Sequence, residues 1–180
     1  MFKRTGDFML KKFALKNYKN FKDDIMIDFS KIAGYQFSTD CLSDELITKM
    51  LIYGRNATGK TNLGKAIMDI RSTMFSGVRF INNGVFLNAD SEENIAFFSY
   101  TFCFSEKELV YRYSQDSDEE MQSEELIIDG TTIFKCDFYN DDYNFDNLKI
   151  IDADTANIDR YLQSLEINDE QEDHIVEREK

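Results

Sequence analysis

Lys60 and Thr61 are the pair in this chain whose types and setting could do chemistry together. Gly54 is followed by Arg55, Asn56, Ala57 and Thr58, and then by Gly59-Lys60-Thr61. This is the GxxxxGK[ST] spacing of the Walker A loop, or P-loop. The Lys60 ammonium can reach the β- and γ-phosphates of a nucleotide as a point charge, and the Thr61 hydroxyl can be offered to Mg²⁺. Main-chain amides of the loop can turn inward, and the start of a helix adds unpaired donors and a positive dipole end. Asn62 follows the motif directly. A triphosphate is the natural guest. An ordinary strand-to-helix turn would explain the two glycines, but not the lysine and hydroxyl directly after them.

The loop works only between a strand and a helix. Lys49 to Tyr53 reads as a short buried strand. Leu63, Ala66, Ile67, Ile70 and Met74 recur at helical spacing, which predicts a helix from about Lys60 to Phe75. Upstream, Leu10 to Leu15 reads as a strand with Leu10, Phe13 and Leu15 as its apolar members. Asn17-Tyr18-Lys19-Asn20-Phe21 reads as a polar turn with two aromatic anchors, Ile25 to Phe29 as a second strand, and Ala33 to Leu46 as a loop. Downstream, Ser76 to Glu93 is an irregular connection. Phe98, Tyr100, Phe102 and Phe104 then alternate on one side of a strand, as do Leu109, Tyr111 and Tyr113. These aromatic residues suit a sheet core better than a base-stacking platform. Asp129-Gly130 is a two-residue hairpin signal, predicting Leu126 opposite Ile133 and Glu124 opposite Lys135. Asn140 to Asn147 reads as a loop. Asp154 can cap a helix to about Leu165, and Glu166 to Lys180 is a charged tail.

Composition limits the partners. The 180 residues carry 42% hydrophobic side chains, 16 Phe and 9 Tyr, enough for a real core. The formal net charge of −13 argues against a nucleic-acid surface on this segment. The lysines at 11, 12, 16, 19 and 22 could form a basic strip, although a solvated strand face accounts for most of them. Cys41, Cys103 and Cys136 lack metal or disulfide spacing and read as buried free thiols of a reducing cytosol. No apolar run has membrane length and no leader pattern opens the chain, so the expectation is a cytoplasmic protein with no membrane partner. His174, the lone histidine, lies in the acidic tail and is not expected to act as a base.

The order of pieces resembles the ABC-type ATPase heads of the SMC and RecF kind. Leu10 to Phe21 looks like their opening strand and Asn-aromatic-basic turn, and Ile27-Asp28-Phe29-Ser30 like the end of their second strand. Gly54 to Leu63, with Lys65-Ala66-Ile67, closely resembles the P-loop of the bacterial AAA-annotated branch. That branch includes the overcoming-lysogenization-defect and abortive-infection ATPases. Phe98 to Phe134 is similar to its antiparallel subdomain.

The resemblance implies an α/β (α+β) P-loop NTPase fold: an ABC-ATPase-like first lobe with a mixed sheet around the Walker A helix and an antiparallel β subdomain. Residues 1–140 would form this lobe, with the P-loop at 54–61 and the β layer at 95–138; residues 141–180 would lead into a further part. It implies ATP and Mg²⁺, phosphates held by Asn56, Ala57, Thr58, Gly59, Lys60, Thr61 and Asn62, Lys60 at the β/γ bridge as the catalytic lysine, and Thr61 on the metal. Lys19 stands where such heads carry a basic residue near the nucleotide; a solvated turn lysine is the other reading. Ala57 stands where many such loops have Gly. No signature motif, Walker B run, switch histidine or glutamine loop is found, and Ile127-Ile128-Asp129-Gly130 is better explained as a hairpin. The chain is therefore expected to bind ATP and to need a second ATPase lobe or subunit for hydrolysis. Paired heads, nucleic acid reached only through the complete molecule, and a role in antiphage defence or DNA maintenance are implied by the resemblance alone. The alternative is a non-hydrolysing nucleotide-binding regulatory or interaction module. A kinase-like phosphotransferase is disfavoured because residues 95–136 read as antiparallel β and not as alternating β and α units.

Overall fold

The computed structural model describes residues 9–34, 39–74, 86–104 and 107–151. Its frame is a seven-stranded sheet in which every pairing is antiparallel. The strands, in chain order, begin with β1 (Met9–Lys16) and β2 (Ile25–Asp28). A small separate hairpin follows, β3 (Leu42–Ser43) and β4 (Leu46–Ile47). Helix α1 (Lys60–Met74) comes next. Then come β5 (Ala96–Phe104), β6 (Lys107–Gln115), β7 (Met121–Ile128), β8 (Thr131–Asp137) and β9 (Asp142–Asn144). The sheet order is β2-β1-β5-β6-β7-β8-β9.

Period-two alternation builds the core. Phe13 and Leu15 of β1, Phe98 and Tyr100 of β5, and Tyr111 and Tyr113 of β6 are all buried, clustered with Ala66 of α1. Leu10 joins this cluster although it lies three residues before Phe13, an odd spacing for a strand. A bulge between Leu10 and Lys12 absorbs the extra residue, so Leu10 pairs with Phe102 and Phe13 with Tyr100. The rings of Phe98 and Tyr113 stack at 4.9 Å, so these side chains serve the core as expected.

Helix α1 lies on this aromatic face. Tyr100 donates to the Ala66 carbonyl at 2.6 Å, and Tyr113 donates to the Asp69 carboxylate at 2.6 Å. Burial pushes the Asp69 carboxyl above its ordinary value, against the pull of the Tyr113 and Thr73 hydrogen bonds.

The Asp129-Gly130 hairpin forms, with both residues at positive φ (48° and 77°), as a type I′ turn requires. Its register differs from expectation. A bulge between Leu126 and Ile127 leaves Ile133 as the extra residue, so Leu126 faces Phe134 and Glu125, not Glu124, faces Lys135. Glu124 instead accepts from the Tyr111 hydroxyl at 2.6 Å. Asp129 accepts from the Glu108 amide at 2.8 Å, which gives this carboxylate a turn-capping role.

Three further expectations are corrected. The 33–46 loop contains β3 and the first residue of β4, turned through Asp44 and Glu45 in the left-handed region. The 140–147 loop contains β9, paired with β8. Most consequentially, residues 49–53 belong to no strand and are exposed: Leu51 is 85% exposed and Tyr53 89%. The apolar run from Met50 to Tyr53 carries the signature of a strand covered on both faces, but that burial needs neighbours. None of the described strands lies beside it, so α1 packs on an antiparallel sheet in place of the expected mixed one.

Of the cysteines only Cys136 is buried, its thiol pushed up to about 12 by burial; Cys41 and Cys103 are partly exposed, and all three are free. Lys11 and Lys16 are tied to Glu108 and Glu93 at 2.6 and 2.5 Å, which breaks up any basic strip. The helix expected over 154–165, the charged tail and His174 lie outside the described residues.

Candidate functional site

The phosphate loop bends where its sequence permits. Ala57 (φ 62°) and Gly59 (φ 88°) both sit in the left-handed region. Thr58 donates its hydroxyl to the Arg55 carbonyl at 2.9 Å, closing the turn. Gly59 accepts the first helical bond, from the Leu63 amide at 2.8 Å, so α1 starts directly from the loop. Lys60, its first residue, reaches back across the loop and donates from Nζ to the Gly54 carbonyl at 2.8 Å and the Arg55 carbonyl at 2.5 Å. An ammonium thus lies over a collar of main chain at a helix N-terminus. Two carbonyl oxygens hold this ammonium beside a helix N-terminus, and a helix N-terminus suits an anion. Asn56, Ala57, Thr58 and Thr61 are exposed along this mouth.

The opening turn is packed against the loop. Gly59 lies so close to it that a Cβ there would stand 3.1 Å from Asn20 Cβ and 3.1 Å from Phe21 Cζ. Asn62, on the first turn of α1, donates its side-chain amide to the Asn20 side-chain oxygen. Lys19 adopts φ 47°, and its Nζ stands 5.6 Å from the centre of the Tyr18 ring. Partial burial, and then the charge of Lys65, hold the Lys19 ammonium below the ordinary lysine value. The structure therefore brings the turn carrying Lys19 onto the motif residues, with Lys65 of the second helical turn close to Lys19.

Two asparagines complete this assembly: Asn17, whose place in the opening turn is read from the sequence but whose bracing role is not, and Asn88, which the sequence does not single out. Asn17 is fully buried and donates to the carbonyls of Glu93 (2.7 Å) and Ile95 (2.9 Å) while accepting from the Asn88 amide. Asn88 donates its side-chain amide to the Lys19 carbonyl at 2.5 Å. A buried asparagine with three backbone partners fixes a turn, but those partners are distant in sequence and cannot be read from the turn itself.

The family described as "AAA domain, putative AbiEii toxin, Type IV TA system" matches residues 49–168. No curated protein matches the chain. The matched span holds the phosphate loop, α1 and every strand from β5 to β9, well over half of the molecule, and the chain belongs to this AAA-domain family.

Proposed function

We propose that this chain binds ATP with Mg²⁺ as the first lobe of an ABC-like ATPase. The observation that carries the reading is Lys60, whose Nζ lies over the carbonyls of Gly54 and Arg55 where a loop feeds directly into α1. In this reading the amides from Asn56 to Thr61 hold the phosphates, with Asn62 steadying the first helical turn. Lys60 moves from its carbonyl partners onto the β/γ oxygens, and Lys19 adds a second cation from the neighbouring turn. Mg²⁺, if bound with the nucleotide, would neutralise phosphate charge, and Thr61 would offer it a hydroxyl.

Hydrolysis is assigned to a second lobe or subunit. The support is the bare segment 49–53, whose apolar side chains and backbone lack strand partners among the described residues. Asp129, which follows the apolar pair Ile127-Ile128, is engaged with the Glu108 backbone in a hairpin, which leaves it unsuited to orienting water. Pairing of complete heads and a role in antiphage defence extend this reading; the family description, which names a toxin of a toxin–antitoxin system, is compatible with the latter.

Turnover is the discriminating experiment. Phosphate release is measured from the chain alone and after adding a candidate second lobe. Turnover that appears only in the mixture, and disappears with Lys60→Ala, supports the split-ATPase reading. Binding without turnover in any mixture supports a non-hydrolysing module.

A further inference from the structure

The five-residue turn 17–21 carries more constraint than a connection between two strands needs. Asn17 (φ 55°) and Lys19 (φ 47°) both lie in the left-handed region, and such strain persists only where surrounding contacts impose it. The contacts are present. Tyr18 and Phe21 exchange backbone hydrogen bonds at 2.9 and 2.8 Å, the Lys19 amide donates to Phe86 at 3.0 Å, and Asn88 holds the Lys19 carbonyl. Asn17 ties the same turn to the chain entering β5. The far side of the turn meets the phosphate loop at two places: Asn20 and Phe21 wall Gly59, and Asn20 receives the hydrogen bond from Asn62.

We propose that Asn20 is a positioning residue for phosphate binding, holding Gly59 and the first turn of α1 in register with the strained turn. It acts through Asn62 and Gly59, not by touching the ligand. The physical reason is aim. Amides at a helix start and an ammonium on its first residue grip phosphates only when held to within about 0.5 Å of the working geometry. A loop with exposed residues from Asn56 to Thr58 has little packing of its own to supply that precision. The wired turn supplies it from the sheet.

This inference rests on the triphosphate reading of the site, and a double-mutant cycle separates the two. Affinity for a fluorescent Mg·ATP analogue is measured for wild type, Asn20→Ala, Asn62→Ala and the double variant, with thermal midpoints recorded alongside. Each single variant is expected to bind about fivefold more weakly, as for loss of one ordinary hydrogen bond, and the double variant no more weakly than the worse single. Losses that multiply in the double variant, unchanged affinity, or coupling seen only in the thermal midpoint would overturn the positioning role. Absence of binding by wild type would overturn the site reading itself.

Discussion

Ala57 places a methyl group where the loop passes through the left-handed region, at φ 62°. A non-glycine residue there costs about 1–2 kcal/mol, part of which glycine returns as unfolded-state entropy. Ala57→Gly is expected to stabilise the chain by up to about 1 kcal/mol in chemical denaturation, without weakening nucleotide binding. Lys19 makes a different prediction. Its ammonium is held below the ordinary value of 10.5 by burial and by Lys65. If it contacts phosphate, affinity is lost as pH rises through that lowered value, so the alkaline limb of a binding profile starts below that of an ordinary lysine. Lys65→Ala removes the repulsion and shifts the limb to higher pH; an unmoved limb would count against a Lys19–phosphate contact.

Among the elements, α1 and the aromatic sheet face were legible because 3.6- and two-residue periodicities express the burial that creates them. The Walker A residues were legible because chemistry fixes their spacing. Bulges were not. The extra residue at Ile133 moves Lys135 from Glu124 to Glu125, and a bulge is decided by packing across the sheet, not by the local pattern. Nor was the brace between Asn20 and Asn62, which joins residues far apart in sequence. The link between α1 and the sheet can be read by titration. The folded state holds the Asp69 proton above the carboxyl's usual 3.8, so between that value and its raised one the unfolded chain has released a proton that the folded chain keeps. Stability therefore falls as pH rises across this window. Asp69→Asn keeps an acceptor for Tyr113 and should remove that fall; wild type and variant denaturation series with parallel pH dependence would contradict the assignment.

For the whole molecule, the run from Met50 to Tyr53 exposes four consecutive large apolar side chains. The alternation-free apolar sequence predicts a buried strand, and the structure shows an exposed segment outside any strand; burial on both faces needs neighbours, and none of the described strands supplies them. Leu51→Glu should reduce concentration-dependent association of the isolated chain, measured by light scattering, while preventing any second lobe from restoring turnover. Equal association by wild type and variant would show that this surface is not sticky in solution.

The central claim is that the loop from Gly54 to Thr61 grips a triphosphate, and equilibrium titration of the chain with Mg·ATP against Lys60→Ala tests it most directly. The account predicts saturable binding by wild type and a loss of at least about tenfold in the variant, as expected when a charged hydrogen-bond donor is removed. Equal binding by the two proteins, or none by wild type, would contradict it.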